Sequence, residues 1–320
     1  MTPAGSPDHS VPARLVTVNL LGAVEHPALD GSPYRIDRNG RPYVPTGDGG
    51  IVLGLELGDS AFALDADHAA PGACLVHADP AARQALAAYA CVGNEVRVRT
   101  GEAAGARGVV LGKRGEEGRV VAGFAAADLA RMRPGDEVSV RARGQGWRPP
   151  GLPPEVAVMN LDPGILPLLP IGLPGAGPGP GTGSGPGTGR GPGTGPRPET
   201  GIAAVAVGVR VTVPSRLAGN GIGRPAAAWD LDLQLPPPGP DGAGDVALGD
   251  LVAVSDLDVR YNMGYRRGWM TVGIVVHGAS PQPGHGPGIT PLLTGPAAAL
   301  RPHPDAAGHA GLTAAALQLQ

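Results

Sequence analysis

Short apolar runs closed by glycine, proline or aspartate constrain this chain more than any other feature. They fall at 15–21, 51–57, 95–99, 109–111, 119–122 and 137–142, and again at 202–213, 229–235, 251–255, 269–277 and 289–293. Most are too brief for helices and rich in valine, leucine and isoleucine, which is the pattern of strands. The chain has 54 glycines and 37 prolines among 320 residues, so turns are frequent. One helix has complete end signals: Asp79 as N-cap, Pro80 at the first position, then 81–90, with Gly93 beyond. A second, short helix is predicted over 125–132, stopped by Pro134. The expected fold is mainly β, in two β-rich lobes with few short helices.

The runs divide the chain. Residues 1–13 are a polar, proline-containing leader expected to be disordered. Residues 14–170 form an N-terminal β-barrel domain and 202–295 a C-terminal β domain. Between them, 171–201 is a low-complexity linker or loop insertion, in which GPGTG recurs at 179, 185 and 191. That period of six has glycine at alternate positions rather than every third, so it is not collagen. Residues 296–320 are an Ala-rich tail, weakly helical or disordered.

Composition narrows the function classes. The 25 basic and 28 acidic residues leave a net charge of −3, so nucleic acid is not expected as a partner. Cys74 and Cys91 have neither CxxC spacing nor a histidine at metal spacing, and Cys91 reads as a small buried hydrophobe. The N-terminus has no secretory signal, and no apolar run is long enough to span a bilayer. The expectation is a soluble, cytoplasmic protein with no membrane partner, whose exposed β edges allow homo-oligomers.

Chemistry-bearing residues gather at strand ends and in loops. The richest stretch is 249–290, where Asp256 and Asp258 close one strand and His277 closes the next. His285 follows in a loop with Gly284, Gly286 and Gly288, where a ligand can approach the backbone closely. Imidazole and carboxylate together suit a divalent metal ion such as zinc, manganese or iron, with His277, His285 and Asp256 as ligands. Alternatively Asp256 orients His277 as a general base, with Asp258 as an acceptor and Arg260 or Arg266 clamping an anion. Asp65, Asp67 and His68 form a second candidate, a short loop able to hold a cation or an acid–base pair. Three functions stay open: a binding module for a small anion or metal-bound ligand, a metal-dependent hydrolase of amide-like substrates, and an RNA-binding factor.

The RNA reading rests on EVRVRTGEAAGARGVV at 95–110, which resembles the KOW element of ribosomal and transcription-factor barrels. Arg97, Arg99, Arg107, Lys113 and Arg114 make it locally basic. Without interleaved aromatics, a barrel shaped by turn glycines is the favoured reading.

A wider resemblance runs in order through His26-Pro27, Gly49-Gly50-Ile51, Asp67-His68, Pro71-Gly72, Cys91-Val92-Gly93-Asn94-Glu95, Gly112-Lys113, Gly144-Gln145-Gly146, Asn160-Leu161-Asp162-Pro163, Gly221-Ile222-Gly223, Ile274-Val275-Val276-His277 and Gly284–Gly288. This series resembles the bacterial family of domain of unknown function 4438. The resemblance implies a two-domain β protein whose N-terminal part is similar to the barrel of riboflavin synthase and translation factors. It implies no substrate or reaction. The chain departs from the pattern at Arg114 and Glu116 and at Ala218-Gly219-Asn220, and by the Gly/Pro/Thr repeat.

Overall fold

A computed structural model describes residues 15–29, 31–62, 66–115, 118–174, 204–238, 245–305 and 311–319. The leader at 1–13, Asp65 and most of the Gly/Pro/Thr segment lie outside the described residues. In chain order the first half contains β1 (Val18–Val24), β2 (Arg35–Ile36), β3 (Pro42–Tyr43), β4 (Ile51–Val52), β5 (Gly72–Val76), α1 (Pro80–Tyr89), β6 (Glu95–Val98), β7 (Arg107–Arg114), β8 (Arg119–Phe124), α2 (Ala126–Leu129) and β9 (Glu137–Ala142). The second half contains β10 (Ala157–Val158), β11 (Ile171–Gly172), β12 (Val205–Val209), β13 (Val211–Pro214), β14 (Leu231–Asp232), β15 (Leu251–Asp258), β16 (Gly264–His277), β17 (Gly288–Pro296) and β18 (Leu300–Pro304).

The fold is mainly β, and its N-terminal part is a closed antiparallel barrel of six strands. The order β1-β9-β6-β7-β8-β5 returns to β1 through the pairing of Ala23 with Val76, and β4 adds to the β5 edge. Helix α1 starts as its sequence dictates: the Asp79 side chain accepts from the Ala82 amide, with Pro80 beside it. Its Leu86 and Ala90 share the barrel core with Leu75, Val96, Val110, Val120, Val138 and Val140.

The continuous apolar character of the middle strands follows from burial on both faces. Leu75 and Val120 point into the barrel, while their neighbours Cys74 and Val121 point outward into a second core. There they meet Val272, Ile274 and Val276 of β16. The second sheet runs β10-β17-β16-β15-β13, with β14 also pairing β17. Its far face, with Val252, Val254, Val275 and Ile289, closes a third core with Leu231 and Leu233. The barrel and the second sheet are thus bonded along one shared apolar layer. A direct hydrogen bond from the Lys113 amide to Thr290 Oγ1 (2.8 Å) crosses it.

Three expected segments differ. The 51–57 run is a strand only at Ile51–Val52, and the 125–132 helix shrinks to Ala126–Leu129. The Ala-rich tail is partly structured: Leu300–Pro304 pairs in parallel with β12, and Leu312 and Leu317 are buried. Apolar residues with a core within reach override a composition that by itself favours disorder. The KOW-like span forms the β6–β7 hairpin, turned at Gly101 and Gly105, both at positive φ. Lys113 and Arg114, expected on its basic surface, are buried instead.

Candidate metal centre

Asp230 and Asp232 flank a leucine in the sequence WDLDLQL. Strand geometry places residues two apart on one face, so both carboxylates point one way and Leu231 points to the core. β14 pairs β17 through Leu231 with Ile289 and Asp232 with Gly288. On its other side β17 pairs β16, where Gly288 faces His277. Gly288 is required there: a Cβ would collide with His277 Nε2 and Asp230 Oδ2. His277 is buried, and its Nε2 lies 2.7 Å from Asp230 Oδ2 and 3.6 Å from Asp232 Oδ1.

His68 arrives from the other half of the chain. Backbone bonds tie its loop to the segment after β16: His68 N donates to Ala279 O (3.1 Å) and Gly278 N to Ala69 O (2.8 Å). His68 Nε2 lies 3.0 Å from His285 Nδ1 and 3.8 Å from Asp232 Oδ1. His285 Nδ1 is 3.1 Å from Asp232 Oδ2. The His68 ring meets those of His277 and His285 edge-on, with centroids 5.0 and 4.8 Å away.

A surrounding layer holds the imidazoles. Asp67 Oδ1 lies 2.6 Å from His68 Nδ1, and Oδ2 accepts from Tyr43 (2.7 Å), Arg35 (3.2 Å) and Gln282 (3.3 Å). His277 Nδ1 lies 2.9 Å from the Gly278 carbonyl. With Nδ1 donating there, Nε2 is the ring atom turned toward the carboxylates. Asp230 Oδ1 accepts the Gly115 amide (2.6 Å), which leaves Oδ2 toward His277. Asp48 pairs with Arg114 and, at 2.7 Å, with Arg35, while Arg119 pairs with Glu25 at 2.6 Å.

Burial would lift the Asp67 carboxyl, but the hydrogen bond and charge of His68 overcome it and hold the group well below its ordinary value. For His68, burial wins and the imidazole is pushed down. For His277, burial opposes protonation, but the hydrogen bond and charge of Asp230 with the charge of Asp232 raise it. Asp232 is lowered in spite of burial, through the His285 hydrogen bond and the charges of His277 and His68. Asp48 is lowered against burial by Arg114, Arg119 and Arg35.

These side chains line a small cavity of about 20 Å³ between Arg35, Asp48, His68, Arg114, Asp230, Asp232, His277 and His285, among others. His68, Asp232 and His285 present ligand atoms within 4.8 Å of one another, and so do Asp230, Asp232 and His277. The arrangement is compatible with metal binding.

Of the residues singled out in the sequence, Asp67, His68, His277, His285, Gly286 and Gly288 come together. Gly286 donates to Asp232 Oδ1 at 3.4 Å, and Gly284 accepts the Asn220 amide through its carbonyl. Asp256, expected beside His277, does not join them. It is exposed in a bulge of β15, where its Oδ1 accepts the Gly268 amide at 2.7 Å. Its neighbour Ser255 pairs with Met270, seven residues before His277, which puts the two roughly 20 Å apart along the strand. Asp258, Arg260 and Arg266 also lie at that end. Asp258 Oδ2 pairs with Arg260 (2.8 Å) and Arg266 (3.0 Å), and both guanidiniums stack on Trp269. The anion clamp expected from those arginines therefore does not face the imidazoles. The carboxylates that do, Asp230 and Asp232, were missed. Their signal was alternation: two acids on one face of a strand whose other face is leucine.

The fold and site define a class: a mainly β protein with a closed six-stranded barrel and a His/Asp cluster between barrel and second sheet. The chain belongs to the DUF4438 family. The N-terminal model, "Domain of unknown function (DUF4438), N-terminal", matches residues 34–167, and its C-terminal counterpart matches 198–311. His68 falls in the first match, and Asp230, Asp232, His277 and His285 fall in the second. The chain is also similar to the crystal structure of TM1086, at 32 % identity and a TM-score of 0.77, over 91 % of this chain and 93 % of that one. No curated protein matches. Among the described residues no helix is long and apolar enough to cross a membrane.

Proposed function

We propose that the protein binds a divalent transition-metal ion through His68, Asp230, Asp232, His277 and His285 and presents it to a small ligand. The observation that carries this reading is the convergence of three imidazoles and two carboxylates, from both halves of the chain, on one small cavity. Charge supports it. With the imidazoles neutral, as metal ligation requires, the described carboxylates Glu25, Asp48, Asp67, Asp230 and Asp232 outnumber Arg35, Arg114 and Arg119 by two, a surplus that a divalent cation neutralises. Ligand spacing supports it too. An ion with bonds of about 2.1 Å separates its ligand atoms by roughly 3.0–3.4 Å. The 3.0 and 3.1 Å contacts of His285 match, and the 3.6 and 3.8 Å contacts of Asp232 Oδ1 need only small shifts. Asp67 behind His68 and the Gly278 carbonyl behind His277 are the partners that orient metal-binding imidazoles.

Metal analysis of the purified full chain, stripped by chelator and reloaded with zinc, manganese or iron, tests the reading. Stoichiometric metal is expected, lost in Asp232→Ala and reduced in His68→Ala and His285→Ala. A wild-type chain that retains none overturns it.

Metal-dependent hydrolysis of small amide-like substrates is a second reading, favoured by one feature. The set His68, Asp232 and His285 supplies three protein ligands and so leaves a coordination position to water. Turnover on an amide and ester panel should then vanish with chelator and return with metal. Turnover that survives complete metal removal would reject it.

A further inference from the structure

We propose that the centre holds two divalent ions bridged by Asp232, an inference that rests on the metal-binding reading above. The donors fall into two sets of three, His68 with His285 and Asp232, and His277 with Asp230 and Asp232, and Asp232 is the member they share. Its two oxygens serve different neighbours. Oδ2 lies 3.1 Å from His285 Nδ1, while Oδ1 lies 3.6 Å from His277 Nε2 and 3.8 Å from His68 Nε2. With one oxygen against His285 and the other between His277 and His68, this carboxylate is placed to bridge two ions.

The layer behind the donors is divided in the same way. Asp67 orients His68 on one side. On the other, the Gly278 carbonyl orients His277, and the Gly115 amide occupies Asp230 Oδ1 so that Oδ2 faces inward. Two divalent ions exceed the local surplus of two negative charges. A bridging hydroxide and one anionic ligand oxygen restore the balance, so the ligand expected at this centre carries an oxyanion.

The test uses the full chain, stripped of metal and titrated with Mn²⁺ alone, with bound metal measured after desalting and the electron paramagnetic resonance spectrum recorded in parallel. The expected result is two equivalents per chain with the spectrum of an exchange-coupled pair. Asp230→Ala and His285→Ala should each retain one equivalent and show an uncoupled spectrum. One equivalent in the wild type, with the spectrum of an isolated ion, overturns the pair and leaves the single-ion reading standing. No bound manganese overturns the pair, and no retention of zinc, manganese or iron in the metal analysis above overturns both. If either variant fails to fold, the wild-type stoichiometry and spectrum still decide the matter.

Discussion

Nε2 of His68 lies 3.0 Å from Nδ1 of His285, across a separation of 217 residues. The contact exists because the loop that carries His68 is hydrogen-bonded to the backbone that follows β16. The centre is therefore a product of the packing between barrel and second sheet, and its function should respond to changes outside the ligand set itself.

Asp67 is the clearest such position. Asp67→Asn keeps the side-chain size but removes the carboxylate that orients His68 and pairs with Arg35. Metal affinity, measured by competition with a chromogenic chelator, should fall by about 10- to 100-fold with the fold retained. Unchanged affinity in a folded variant would mean that His68 does not act through Asp67.

Gly288→Ala should reduce metal binding by disrupting the His277 and Asp230 set, because the added methyl occupies the space of His277 Nε2 and Asp230 Oδ2. Overpacking of this kind also lowers stability by about 1–3 kcal/mol. Metal analysis together with thermal melting would reveal both effects. Full metal loading in this variant would place the ion elsewhere.

Asp256→Ala separates the two acidic neighbourhoods. Its carboxylate accepts the Gly268 amide across the β15–β16 bulge, and its own φ is +58°. Stability should drop by about 1 kcal/mol through the lost bond across the bulge, while metal content stays at the wild-type value. Metal loss in this variant would contradict the separation along β16.

Lys113 gives a pH signature independent of the centre. It is fully buried, and its ammonium donates to Asn160 Oδ1 (2.6 Å), Ala88 O (3.4 Å) and Ala227 O. Burial pushes its pKa down from 10.5 to about 7. Between those values the unfolded chain carries a proton that the folded chain lacks, so wild-type stability rises with pH by up to about 1.4 kcal/mol per unit. Lys113→Met removes that slope and leaves three oxygens without their donor, at a cost of about 1–3 kcal/mol. Chemical denaturation at pH 7 and 9 should show the wild type gaining on the variant; parallel curves would show that the amine keeps its proton when buried.

Much of the architecture was legible. The strand Glu137–Ala142 and the helix begun by Asp79 and Pro80 stand where apolar pattern and capping chemistry put them. Of the centre, the loop at Asp67 and His68 and the loop around His285 were both visible as polar residues among glycines. The pairing of Asp256 with His277 was not sound, since it relied on nearness in sequence. Along an extended strand, separation grows by about 3.3 Å per residue, so nearness in sequence across a hairpin says little about nearness in space.

The order of apolar runs and turn residues, taken alone, determined a mainly β chain and supplied its imidazoles, because strand period and turn preference are local properties of a few residues. Which carboxylates those imidazoles meet was decided only by the tertiary structure. The β14–β17–β16 pairing and the docking of the His68 loop bring Asp230, Asp232, His68, His277 and His285 to one cavity. Such long-range pairings follow from burying both faces of the central strands at once, a condition that no short window of sequence contains.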